Sequence, residues 1–232
     1  MEENLRQVRD RVASALLRAG RPPDSVTLVG VSKTQPAAKI LELARLGLRD
    51  FGENYVQEWQ RKRRELENAD LPLASRLRWH FIGHLQSNKA REALDADLIH
   101  SVDSLKLARK LSEAAVKAGK VQALLWELNL AGEATKSGMN PDELKRALAA
   151  YAALPGLSWR GLMTMPPPAE DPEASRPYFR QLKSLLDEIR ASGFFDPGLV
   201  ELSMGMSQDY EVAVEEGATL IRVGSRLFGP RI

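Results

Sequence analysis

The sequence predicts a closed (β/α)8 barrel of the TIM type, and three features predict it. Eight short β-rich runs alternate with helical segments along all 232 residues. The connections are short, and no long linker divides the chain. The loop after the first strand, Ser32-Lys33-Thr34-Gln35-Pro36, lacks the glycine-rich turn that an open doubly wound sheet usually carries there. One domain covering residues 1–232 is expected, with an extra helix ahead of the first strand placed to cap the barrel bottom.

Each element has its own local reason. Leu5, Val8, Val12, Leu16 and Ala19 follow helical spacing, and Gly20 with Pro22-Pro23 ends that helix. The apolar β-rich run 27–33 is the first strand, followed by a helix from about Pro36 to Leu46 closed by Gly47. A second strand over 48–52 leads to a helix over 55–67, and a third over 79–83 leads to a short helix near 87–94. The fourth strand, 97–102, is followed by a helix that Ser104 caps and Gly119 ends. The fifth, 121–129, precedes a helix opened by Pro141. The sixth, 157–164, is followed by a proline-rich loop over 166–172. A long helix then sets Phe179, Leu182, Leu185, Leu186 and Ile189 on one face. The seventh strand, 199–203, a helix over 209–216 and an eighth strand over 219–224 complete the pattern.

Composition removes several function classes. The net charge of +2 gives no bulk electrostatic case for nucleic acid or a membrane surface. The basic run at 61–64, Arg-Lys-Arg-Arg, reads as a solvated helix face. With no cysteine there are no disulfides or thiolate metal sites, and the three histidines (His80, His84, His100) fit no zinc spacing, so no metal is expected. No run approaches transmembrane length and the N-terminus does not resemble a signal peptide, so a cytoplasmic protein is the expectation.

In a barrel the chemistry gathers where the strands end. In order, those positions supply Lys33, Glu53 and Asn54, Gly83 and His84, Ser101 and Asp103, Asn129, Thr164 and Met165, then 203–207 (Ser-Met-Gly-Met-Ser), and Gly224 with Ser225. A lysine ending a buried strand is costly unless deprotonated, paired or covalently used, and a Schiff base to a carbonyl cofactor is one such use. Small-residue turns after strands seven and eight suit a phosphate, helped by the helix after Ser207. Closure of strand eight onto strand one brings that phosphate site beside Lys33. Taken singly, the same residues have ordinary readings. Gly205 and Gly224 are turns, Arg222 faces outward in a salt bridge, Asn54 caps a helix, His80 and His84 are structural, and Met163, Met165, Met204 and Met206 pack.

The combination resembles the YggS/PROSC family of pyridoxal-phosphate homeostasis proteins. Matching segments include Val31-Ser32-Lys33-Thr34, Phe51-Gly52-Glu53-Asn54-Tyr55, 79–89, 100–104, 129–138 through Lys136-Ser137-Gly138, Gly161 to Met165, Leu202 to Asp209, and Ile221 to Ser225 through Phe228-Gly229. They recur in family order over nearly the whole chain. The resemblance implies a fold type III barrel like the N-terminal domain of alanine racemase, with pyridoxal 5′-phosphate (PLP) as an aldimine on Lys33. It places phosphate contacts on Ser207 and the Gly224-Ser225 turn, Ser203 and Asn54 nearby, and Arg222 beside the cofactor's ring and phosphate side. Glu127 stands where many relatives have glutamine, and the proline-rich segment 166–177 departs from the family pattern. Alanine racemases add a C-terminal β-domain and a second base from a dimer partner. With the sequence ending at Ile232, neither is expected here, so no residue is expected to be catalytic. The implied role is holding and delivering PLP as a monomer, with amino acids and PLP-dependent apoenzymes as further partners. Two other readings stand beside it. One is a PLP enzyme acting on a small amino acid, with Lys33 and one of Tyr55, Tyr210 or His84 as bases. The other is a barrel that binds a phosphorylated metabolite without PLP.

Overall fold

A computed structural model describes residues 1–133 and 137–229; Lys136 of the 129–138 motif lies outside the described residues. All eight predicted strands form: β1 (Thr27–Val31), β2 (Asp50–Glu53), β3 (Arg78–Phe81), β4 (Leu98–Val102), β5 (Gln122–Leu128), β6 (Leu157–Thr164), β7 (Glu201–Ser203) and β8 (Leu220–Val223). They pair in parallel, in sequence order, into a closed barrel. The seam is β1 on β8, with Val29 opposite Arg222 and Gly30 opposite Val223.

Helices surround the barrel: α1 (Glu2–Arg18), α2 (Ala37–Arg45), α3 (Val56–Ala74), α4 (Ala90–Ala93), α5 (Leu105–Lys117), α6 (Pro141–Ala152), α7 (Arg176–Ala191), α8 (Tyr210–Glu215) and α9 (Ser225–Phe228). Ser104 caps α5 as expected, accepting from the Leu107 amide, and Asn140 caps α6. The predicted apolar stripe of α7 is fully buried. Two boundaries and one placement stand out against the sequence reading. β2 starts at Asp50, because Leu48 turns into the outer core and Arg49 is tied back to the Ala44 carbonyl. α3 continues to Ala74 through a kink at Asp70, whose carboxylate caps the next turn at the Leu73 amide ahead of Pro72. α1 lies in the outer layer against α8 and α9, joined by Arg11–Glu211 and Arg18–Glu215 ion pairs. Only its flank at Arg9, Val12, Ala13 and Leu16 reaches the groove at the barrel bottom.

The outer core lies between strands and helices, and a second cluster fills the barrel interior with Val29, Leu98, Leu125, Met163 and Leu220. Strand alternation places the next inward residues two positions on, and several of these are polar: His100, Glu127 and Arg222. The interior is therefore an apolar layer beneath a polar one. That polar layer floors the site.

Candidate functional site

A cavity of about 490 Å³ opens at the carboxyl ends of the strands. It is lined by Lys33, Asn54, Glu127, Arg222, the 206–209 segment, Gly224 and Ser225, with the proline-rich loop as one wall. Of the residues expected at the site, Lys33, Asn54, Ser207, Arg222, Gly224 and Ser225 come together here. Ser203 does not line it. It lies fully buried beneath Arg222.

Lys33 sits two residues past β1, in a turn whose next residue, Thr34, holds a left-handed φ of 63°. Buried charges fix that turn. Lys62 of α3 is completely buried and places its Nζ 2.6 Å from the Ser32 carbonyl, 2.7 Å from Glu53 and 2.7 Å from Glu58. Glu58 also accepts the Thr34 amide at 2.7 Å, and Glu53 accepts the Ser32 hydroxyl at 2.7 Å. Burial pushes the Glu53 carboxyl up, while Lys62 and Ser32 pull it down. Lys62 thus corrects the solvated-face reading of the basic run: Arg61 and Arg64 are exposed, but their neighbour is a structural cation.

Asn54 follows β2 and is held against β3. A Cβ on Gly83 would come within 2.3 Å of the Asn54 carbonyl, so only glycine allows this approach. Tyr55, not Asn54, occupies the N-cap position of α3. The Asn54 Oδ1 is buried without a hydrogen-bond partner and faces a cavity that can supply one.

The loop after β7 is zipped along β8. Met204 donates to Leu220, Arg222 donates to Gly205, and the Gly224 amide donates to Ser207 Oγ at 3.2 Å. Gly205 has φ 88°, and a Cβ there would strike Ala213 at 2.5 Å. Two residues expected to hold phosphate, Ser207 and Gly224, are therefore already in mutual contact. The helix dipole contributes less than expected. α8 spans only six residues, and Asp209 already takes the Met206 amide at 2.7 Å.

Arg222 points inward, not outward, at 3 % exposure. Burial lowers its pKa to about 10, against the pull of Asp209 and Glu127. It donates to Ser203 Oγ at 2.5 Å and to the Thr164 carbonyl at 3.0 Å. Beneath it a polar chain crosses the barrel. Ser203 Oγ lies 2.8 Å from His100 Nδ1, His100 Nε2 lies 2.9 Å from His80 Nδ1, and His80 Nε2 lies 3.0 Å from Asp50. Arg78 closes the far end with two bonds to Asp50, at 2.7 and 2.6 Å. Burial holds His100 well below the usual imidazole value, with the charges of His80 and Arg222 adding to the effect. Asp50 accepts from His80 Nε2–H, and the Ser203 Oγ that accepts from Arg222 turns its own proton to His100 Nδ1. His100 then donates from Nε2 to His80 Nδ1. Every member of the chain has a partner, and the Arg222 fork is held in one orientation.

Sequence reading missed Lys62, Glu58 and this chain. The signal for Lys62 was present. It falls on the stripe of Val56, Trp59 and Leu66 that α3 buries. His84 is exposed at the rim, 3.4 Å from Asp103. Met163 and Met204 are packed in the core, while Met165 and Met206 line the cavity.

Residues 1–231 match the family model for the alanine racemase N-terminal domain, and the chain belongs to that family. It is 44% identical to the pyridoxal phosphate homeostasis protein of Aquifex aeolicus over 99% of this chain and 97% of that protein. It is 45% identical to the protein of the same name from Pseudomonas aeruginosa, over 99% of this chain and 95% of that one. Among solved structures it resembles PipY of Synechococcus elongatus with PLP bound, at 42% identity and a TM-score of 0.82, covering 96% of this chain and 100% of that one. Clostridium difficile alanine racemase shares the fold at 18% identity and a TM-score of 0.71, over 98% of this chain and 57% of that chain.

Proposed function

We propose that this chain is a pyridoxal phosphate homeostasis protein that holds PLP through Lys33 and releases it to other proteins, without robust turnover of its own. The observation that carries this reading is the meeting, in one cavity, of the turn-held Lys33 with the Ser207–Gly224 contact and Arg222. The relatives' name and the PLP-bound PipY structure support it. The residues fit the group: an amine for the aldehyde, hydroxyls and N–H groups for the phosphate, and unpartnered polar atoms on Asn54 and Glu127 facing the same space.

When bound, PLP supplies an aldehyde that condenses with an amine and a ring that withdraws electrons. The chain's residues then divide the work. Lys33 Nζ would supply the amine that such an aldehyde takes up, with loss of water. Ser207, Gly224 and Ser225 would hold the phosphate. Arg222, fixed by Ser203 and Thr164, presents a cation at the cavity floor. Ser203 acts through Arg222. The enzyme alternative loses two of its proposed second bases. Among the described residues lining the cavity, neither Tyr55 nor Tyr210 is found: Tyr55 is 59% exposed outside it and Tyr210 is buried in the core. A cytoplasmic, monomeric protein acting on PLP-requiring apoenzymes, with no nucleic-acid or membrane partner, belongs to the same proposal. Among the described residues no helix is long and apolar enough to cross a membrane.

The test is the visible spectrum of the purified protein before and after borohydride reduction, with mass mapping of the modified residue. Lys33 is the expected site, and Lys33→Ala is expected to lose the absorbance while retaining some PLP through the phosphate contacts. Labelling at another lysine overturns the assignment. Steady-state turnover of D- and L-alanine or serine is expected to be negligible. Rates of about 10 s⁻¹, near the enzyme median, that vanish in Lys33→Ala would make the protein an enzyme.

A further inference from the structure

The inward face of β5 carries a carboxyl for which the barrel provides no complete set of partners. Glu127 is 2% exposed, lines the cavity with Lys33, Asn54 and Arg222, and has an Oε2 without a hydrogen-bond partner. In an eight-strand closure β5 stands opposite β1, so Glu127 looks into the cavity from the wall facing the Lys33 strand. A buried carboxylate with an unmatched oxygen is costly, and retaining its proton is the alternative.

Burial favours the proton on Glu127, and the charges around it divide. Asp103, after β4, opposes ionisation, and Arg222, on β8, favours it, but burial is the largest effect and holds the pKa at about 7. His100 on β4 is neutral, Met163 and Thr164 on β6 are uncharged, and Lys33, His84 and Asp209 share the cavity. A ligand entering this space removes the remaining water and brings a phosphate dianion, and both changes penalise a second anion there.

We propose that Glu127 meets the bound ligand as a neutral carboxyl, donates its proton in a hydrogen bond to a ligand oxygen, and so makes ligand retention weaken as the pH rises. The proposal rests on the PLP reading and names one residue that would make release sensitive to pH. A group half-ionised near pH 7 that must be neutral to bind weakens retention about tenfold between pH 6 and pH 8.

The experiment is equilibrium dialysis at pH 6, 7 and 8 of the native chain and Glu127→Gln, whose amide keeps a donor that does not titrate. Two probes are used: pyridoxal 5′-phosphate and pyridoxine 5′-phosphate, an alcohol that cannot form a Schiff base. The second ionisation of the phosphate, near pH 6, affects both proteins alike, so the ratio of their Kd values isolates Glu127. That ratio is expected to rise about tenfold from pH 6 to pH 8 with both probes. In Asp103→Asn the rise is expected at lower pH, since a charge opposing ionisation is gone. A ratio independent of pH, or a native chain that tightens relative to the variant, overturns the proposal while leaving the PLP reading intact. Binding of neither probe by either protein overturns both. The ¹³C shift of the Glu127 carboxyl in the complex gives an independent readout: a neutral acid at pH 7.5 is expected, and a carboxylate there sinks the idea.

Discussion

Glu127 also has a consequence in the free protein. Its folded pKa of about 7 lies above the ordinary 4.5, so the folded chain holds more protons than the unfolded chain between those values. Stability from this group is therefore intact below pH 4.5 and falls as the pH rises toward 7, by roughly 2–4 kcal/mol in all. Glu127→Gln is expected to raise Tm at pH 8 and to change it little at pH 4.5; thermal melts at the two values check this. Ser207 gives a second expectation. Removing its hydroxyl strands the Gly224 amide and takes away the phosphate contact proposed above, so Ser207→Ala should weaken PLP retention by roughly 1–2 kcal/mol. Pyridoxal without phosphate should bind the native chain far more weakly, and equal affinity would remove the phosphate site. Lys33, Ser207, Gly224 and Ser225 were legible because each ends a strand or opens a turn, positions that show in one dimension. The orientation of Arg222 was legible through the family resemblance and not from the residues alone. In a strand flanked by apolar residues on both faces, periodicity does not say which side is the interior.

The turn after β1 and helix α3 form one mechanical unit, joined by Lys62. Its ammonium holds the Ser32 carbonyl, Glu53 and Glu58, and Glu58 in turn holds Thr34 in its left-handed conformation. Lys33 therefore hangs between two residues anchored to a helix on the outer layer. Lys62→Met should leave Glu53 buried and unpaired, at a cost of about 3–5 kcal/mol. It should also loosen the turn, so that amide exchange at Thr34 quickens and the Schiff base forms more slowly. Unchanged exchange at Thr34 would mean that the turn holds itself. Elements were the most legible scale. Alternation of strands and helices, caps at Ser104 and the stripe on α7 all act locally, and the structure forms them. Boundaries moved where tertiary contacts took over, as at Leu48, or where a local cap carried the helix past a kink, as at Asp70. A lysine inside a basic run read as solvated because two of its three acceptors, the Ser32 carbonyl and Glu53, come from the turn after β1 and from β2, far away in sequence.

Across the whole molecule, the barrel links its two ends through a line of polar side chains. The line runs from Arg78, 57% exposed at the bottom, through Asp50, His80, His100 and Ser203 to Arg222 under the cavity. Closure predicted from alternation put Lys33 beside the 203–225 turns, but it gave no sign of this line, because its members lie on five different strands and meet only inside the closed sheet. The line carries a stability effect opposite in sign to that of Glu127. His100 is neutral in the fold and has a pKa well below 6.5, whereas the unfolded chain takes up a proton there as the pH falls through 6.5. Below that point the unfolded state binds more protons, so stability from His100 is present above pH 6.5 and is lost as the pH drops toward its folded value. Asp50 acts in the same direction at lower pH: its carboxyl is held below the usual range by bonds to His80 and Arg78, against the cost of burial. Native urea midpoints at pH 7.5 and 5 thus combine two opposing buried groups, and single variants separate them. Glu127→Gln removes the term that grows on acidification, so its loss of stability from pH 7.5 to 5 should exceed that of the native chain. His100→Gln retains a donor and an acceptor but cannot titrate. It should start less stable at pH 7.5, through imperfect replacement of the bonds to Ser203 and His80, yet lose less than the native chain on reaching pH 5. If His100→Gln follows the native pH dependence in parallel, the imidazole is not held neutral by the fold, and the ordered chain beneath Arg222 is wrong.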